Sequence, residues 1–120
     1  MILKNWLAAA GLAAFAGTAM AEGELHIYTW GNYTNPELID RFEQAHGIRV
    51  TITDYDSSDT AIARIRQGGH GFDIVVPAAV VTPVWIEEGL LLETNPAEME
   101  NFVHVDERFR SPSFDPERRY

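Results

Sequence analysis

Trp30 and Tyr33 stand three residues apart in a short polar stretch, with Gly31 and Asn32 between them. Two large aromatic faces brought together in this way can receive a cation. An ammonium over an indole or phenol ring gains about 0.5–2 kcal/mol, and more as water is excluded. Asn32 adds an amide that offers only a neutral hydrogen bond, weaker than a charge-assisted one. Ligand contact by the two rings competes with a plainer role, in which they pack to anchor the loop.

No other residues in the chain assemble a reactive centre. His26, His46, His70 and His104 show no i, i+4 pairing and no ligand cluster, so no metal site is expected. Gly68, Gly69, His70 and Gly71 look like a phosphate loop only superficially, because they precede a strand and no Lys-Ser/Thr pair follows. Ser57, Ser58, Ser111 and Ser113 lack a nucleophile-elbow context. With no cysteine, thiol catalysis and thiolate metal sites are excluded, and an apolar core must hold the fold. The chain reads as a non-enzyme without a cofactor.

The elements around the aromatic pair follow from local pattern. Leu25, Ile27 and Tyr28 predict a short strand that ends at a turn-rich segment, residues 30–35. Asn35 and Pro36 open a helix, since Asn can cap free N–H groups and Pro suits the first helical position. Leu38, Ile39, Phe42 and Ala45 recur at helical spacing, and Gly47 ends the helix. Ile48, Val50 and Ile52 alternate with polar residues as a second strand. Asp54 and Asp56 then read as turn formers, with Ser58 or Asp59 capping a helix that turns Ala61, Ile62 and Ile65 inward. Residues 72–77 form a continuous apolar run that predicts a strand buried on both faces, with Asp73 structural at its entry. Thr82 is expected to cap a third helix whose Trp85 is core, closed by Gly89. Residues 90–92 read as extended, and Asn95 and Pro96 start one or two helical turns reaching about residue 102.

Strands alternating with helices through short connections imply a parallel sheet with right-handed crossovers. Open α/β sheets bind ligands beyond the carboxyl ends of their strands, which is where the turn after the first strand lies. Residues 22–105 are therefore read as one partial α/β lobe, and 106–120 as an irregular segment. Three strands would leave sheet edges uncovered, a liability that complete proteins manage. The chain reads as the front part of something longer.

Residues 1–21 carry Lys4, an apolar run and Ala19-Met20-Ala21 ahead of Glu22, the pattern of a cleaved secretory signal peptide. No later segment approaches the ~20 apolar residues that span a bilayer. The 120 residues hold 9 basic and 18 acidic side chains; without Lys4 the balance is 8 against 18, a formal charge of −10. Such a field repels nucleic acid and anionic lipid and is compatible with a cationic ligand.

Tyr28-Thr29-Trp30-Gly31-Asn32-Tyr33, taken with Gly71-Phe72-Asp73-Ile74-Val75-Val76-Pro77, resembles the periplasmic spermidine/putrescine-binding components of ABC transporters. His46-Gly47-Ile48-Arg49-Val50, Glu88-Gly89-Leu90-Leu91 and Phe114-Asp115-Pro116 extend the likeness. The resemblance implies a three-layer, parallel-sheet α/β lobe of a type II periplasmic-binding-protein fold, represented in part. It also implies a monomer that binds a polyamine between two lobes and delivers it to permease subunits. It places the ligand on Trp30, Gly31, Asn32 and Tyr33, and on Ala78 and Val80 after the third strand. Trp30 and Tyr33 match the family's first loop, whereas Gly31 stands where a hydroxyl is usual and Asn32 replaces an acid. Ala78 and Val80 stand where the family usually has Ser and an aromatic. The same fold binding a different solute, or a truncated product without activity, are the rival readings.

Overall fold

The structure, a computed structural model, describes residues 23–120; the signal-peptide assignment to 1–21 lies outside them. Six main elements alternate in chain order: β1 (Gly23–Trp30), α1 (Pro36–His46), β2 (Ile48–Tyr55), α2 (Ser58–Arg66), β3 (Ile74–Val75) and α3 (Thr82–Glu87). Short 3-10 turns follow at Pro96–Glu98, Glu100–His104 and Glu107–Phe109. The strands form one parallel sheet in the order β2-β1-β3. The register of β1 with β2 runs unbroken from Gly23↔Ile48 to Trp30↔Tyr55.

Local chemistry sets the boundaries of α1. The Asn35 side-chain oxygen accepts the Glu37 N–H at 3.0 Å, with Pro36 in the first turn. At the other end Gly47 takes φ +64° and its N–H donates to the Glu43 carbonyl at 2.8 Å. The left-handed conformation is open to glycine without a Cβ penalty, so the chain turns at once into β2. The Glu43 carboxylate accepts the Val50 N–H, tying helix to strand at 2.6 Å.

Several expectations are corrected. The stripe on α1 is not interior: Leu38, Phe42 and Ala45 are exposed, and no residue of this helix is buried. The helix packs on β2, which among the described residues has a strand partner on one side only, so the stripe reaches just the margin of the core. α2 is capped by Ser57 rather than Ser58 or Asp59, its side chain accepting the Thr60 N–H at 3.1 Å. The run 72–77 yields only the two paired residues of β3, and Ile74 is 45% exposed. Its apolar character implies cover on both faces, but only the Val75 face packs against the core, while Ile74 and Val76 on the other face stay partly open. At its entry the Asp73 carboxylate accepts the His26 N–H at 2.8 Å, so this side chain extends the junction with β1. Thr82 lies inside α3 rather than capping it, and its hydroxyl donates to the Ala78 carbonyl at 3.1 Å. Residues 90–92 join no strand.

The core gathers where helices meet the sheet. Tyr28, Tyr55, Ala61, Ile65 and Trp85 are buried together, with Trp30, Ile62, Phe72, Val75, Leu90 and Leu91 packed around them. Trp85 is 0% exposed, as its place on a helical stripe implied. Arg66 at the end of α2 forms a two-pronged ion pair with Glu88 after α3. The final segment folds back onto the chain: the Thr94 and Asn95 N–H groups donate to the Arg119 carbonyl at 2.7 and 3.1 Å. The buried Asp115 carboxylate accepts the Arg119 and Tyr120 N–H groups at 3.0 and 3.1 Å.

Candidate functional site

Because β1, β2 and β3 are parallel, their carboxyl ends lie at the same margin of the sheet, and the turns that leave them emerge together. Trp30 is the last residue of β1 and half-buried. The chain then turns tightly: the Gly31 N–H donates to the Tyr55 carbonyl and the Tyr33 N–H to the Trp30 carbonyl, both at 3.2 Å. Asn32 sits inside this turn at φ +63°, a conformation that Asn tolerates better than most residues with a side chain. The turn brings Tyr33 back toward Trp30. Their ring centroids are 6.4 Å apart with 40° between the planes.

The two rings differ in setting. Trp30 leans on the core, whereas Tyr33 is 74% exposed. Together they make an aromatic ledge with one side wet, suited to receiving a cation on ring faces. Beside the ledge a recess of about 300 Å³ is lined by Asn32, Thr34, Pro36, Ile39, Asp40, Ile52 and Asp54. Asp54 is therefore not the turn former expected. It is the penultimate residue of β2, and with Asp40 it places carboxylates near the first turn.

The second candidate stretch follows β3. The Ala78 carbonyl accepts the Val81 N–H at 3.0 Å and the Thr82 N–H at 3.2 Å, so Ala78 starts the turn into α3. Val80 projects from that turn and is 87% exposed. Trp30 and Tyr33 thus meet as rings and Gly31 and Asn32 form the turn between them, while Ala78 and Val80 belong to a separate turn at the same margin. A roomier apolar cleft of about 720 Å³ runs beside β3, lined among others by Ile74, Leu91, Met99 and Phe114. Its lining extends from His70 and Phe72 before the strand to Pro77 and Thr82 beyond it.

Sequence reasoning missed Tyr55. This residue is buried at the end of β2, its ring centroid 4.6 Å from that of Trp30 and 4.8 Å from that of Tyr28. Burial, with Tyr28 and Tyr33 nearby, raises its phenol above the ordinary value. The signal was available in the strand register: once β2 is carried to Tyr55, parallel pairing sets that ring opposite Trp30.

A lobe of this kind, a parallel α/β sheet with aromatic turns at its strand ends, is that of the type II periplasmic binding proteins. Within that class, the chain is similar to the proteins that bind polyamines. It is 30% identical to the spermidine/putrescine-binding periplasmic protein of Escherichia coli (strain K12), over 98% of this chain and 36% of that protein. It is 32% identical to the putrescine-binding periplasmic protein PotF of the same organism, over 86% of this chain and 29% of the relative. Among solved structures, a candidate spermidine/putrescine ABC transporter from Listeria monocytogenes superposes with a TM-score of 0.76 at 38% identity, covering 81% of this chain and 30% of that one. The spermidine/putrescine ABC transporter substrate-binding protein PotD from Streptococcus pneumoniae gives 0.77 at 32% identity, covering 82% and 30%. No protein-family model matches the chain. The resemblance carried by the motifs is borne out, and the chain spans about a third of the length of the curated relatives it matches. Those relatives are named as periplasmic binding proteins, not as enzymes.

Proposed function

We propose that this chain supplies one wall of a solute-binding cleft for a polyamine such as putrescine or spermidine, in an exported protein that passes its cargo to the permease of an ABC transporter. The observation that carries the reading is the Trp30/Tyr33 ledge, open at the carboxyl ends of the strands. A polyamine has ammonium groups with lysine-like pKa values near 10 joined by apolar methylenes, and ring faces suit both parts of it. Asp40 and Asp54 beside the ledge, and the acidic balance of the whole chain, favour the approach of a cation. Support comes also from the relatives, whose names specify spermidine, putrescine or cadaverine binding. In this reading residues 1–21 direct export to the periplasm, the protein acts as a monomer, and nucleic acid is not a partner. No described helix is long and apolar enough to cross a membrane.

A second reading, the same fold holding a different solute, is favoured by one specific observation. Gly31, Asn32, Ala78 and Val80 bring no hydroxyl, carboxylate or aromatic ring to the positions where the family usually has them. Titration of tryptophan emission with putrescine and spermidine, beside a thermal-shift series with small anions, separates the two. The first reading expects saturable quenching or shift with the amines. A chain stabilised by anions and indifferent to amines would replace it with the second.

A further inference from the structure

Tyr55 touches both turns that carry the candidate site. Its backbone carbonyl accepts the Gly31 N–H at 3.2 Å, fixing the start of the first turn. Its ring lies against Trp30 with 55° between the planes. Its hydroxyl donates to the Val76 carbonyl, two residues ahead of Ala78. The strand order makes this arrangement unusual. Tyr55 belongs to β2, and β1 lies between β2 and β3. The side chain must therefore cross the end of β1 to reach the exit of β3, a span of two strand spacings, about 10 Å in all. Its ring passes over Tyr28 and Trp30 on the way, which is why it meets both.

The strand ladder goes part of the way: the Val76 N–H donates to the Tyr28 carbonyl at 3.0 Å, and the Val76 carbonyl is then taken by the Tyr55 hydroxyl. Turns leaving separate strands move independently unless something joins them, and small changes in their spacing weaken any ligand that bridges both. A buried phenol whose ring fixes one turn and whose hydroxyl fixes the other is such a joint. Its surroundings hold it in place: the ring is buried with Ala61, Ile65 and Trp85 in the core, and α2 begins three residues further on.

We propose that Tyr55 is a positioning residue for the candidate site: its ring sets the plane of Trp30 and its hydroxyl holds the turn at 76–80, so that both turns present to a cationic ligand as one rigid rim. The role in ligand binding rests on the polyamine reading above; the joining of the two turns does not.

The test uses the full 120-residue chain, its Tyr55→Phe and Tyr55→Leu variants, and amide exchange by NMR without ligand. Tyr55→Phe keeps the ring and loses the hydroxyl. The Val81 and Thr82 amides, which donate to Ala78, are expected to exchange about five- to tenfold faster, the loss of one buried hydrogen bond. The Gly31 amide and the Trp30 indole resonance are expected to stay as in the parent. In Tyr55→Leu the Trp30 indole signal moves as well. Should Tyr55→Phe leave Val81 and Thr82 unchanged, or raise exchange equally at every amide, Tyr55 is a core residue only and the proposal is overturned. If Tyr55→Leu does not fold, the phenylalanine variant decides alone. Putrescine titration of the same samples addresses the ligand separately. A parent whose tryptophan emission does not respond even to high putrescine, where one wall of a cleft should still make weak contact, sinks the polyamine reading, while the exchange pattern still decides the joint. A parent that binds is expected to do so several-fold more tightly than Tyr55→Phe, and equal affinity would remove the positioning role.

Discussion

Trp30 and Tyr55 occupy matching positions on neighbouring parallel strands, and their ring centroids meet at 4.6 Å. Trp30 is thereby held from below, while Tyr33 stands beside it with most of its surface in water. The two halves of the ledge should separate on mutation. Tyr33→Ala is expected to change stability by no more than about 0.5 kcal/mol, as exposed positions do. Trp30→Ala, which opens a space beside the core, is expected to cost towards the lower end of the ~3–5 kcal/mol of buried Trp truncations. Urea unfolding of both variants checks this; comparable losses at the two positions would mean that Tyr33 is packed after all.

The first turn depends on a left-handed residue. Asn32 holds φ +63°, where a β-branched side chain meets the following carbonyl and costs roughly 1–2 kcal/mol. Asn32→Val is expected to lower the melting temperature by several degrees, whereas Asn32→Gly is expected to be neutral or slightly stabilising. A melt in which Val and Gly behave alike would place the turn in another conformation.

Trp85 is the largest fully buried side chain of the core, and its indole N–H has no hydrogen-bond partner among the described residues. Trp85→Ala is expected to cost about 3–5 kcal/mol through the cavity it leaves. Trp85→Phe should cost much less, because it also removes a buried donor that is unsatisfied. Chemical denaturation of the two variants compares them directly, and a phenylalanine variant as damaged as the alanine one would contradict this account.

The ion pair between the ends of α2 and α3 predicts a response to acid. The Arg66 guanidinium hydrogen-bonded to Glu88 holds that carboxyl below its ordinary value of 4.5. A carboxyl whose folded-state pKa is depressed stabilises the fold fully above the unfolded value, and this contribution disappears as pH falls through the folded value. Both side chains are partly exposed, so the effect is small and weakened by salt. Melting curves at pH 7 and pH 3 should show the parent losing more stability than Glu88→Gln; equal losses would indicate that the pair adds nothing.

Much of this molecule is legible from neighbouring residues alone. Asn35, Pro36 and Gly47 set both ends of α1 because caps and left-handed turns involve groups only a few positions apart. The alternation of Ile48, Val50 and Ile52, the helical stripe of Ala61 and Ile65, and the burial of Trp85 belong to the same short range. So does the turn that carries Trp30 and Tyr33 at the end of the first strand. What tertiary structure decided was pairing. The run 72–77 is apolar enough for a fully enclosed strand, yet only Ile74 and Val75 join the sheet, since cover depends on what lies beside them and not on their own hydrophobicity. Likewise no local pattern marks Tyr55 as part of the rim. Its ring reaches Trp30 because parallel register aligns two strand ends that lie 25 positions apart in the sequence, and its hydroxyl reaches Val76 because the sheet order places β3 just beyond β1, within span of a side chain that crosses the end of β1.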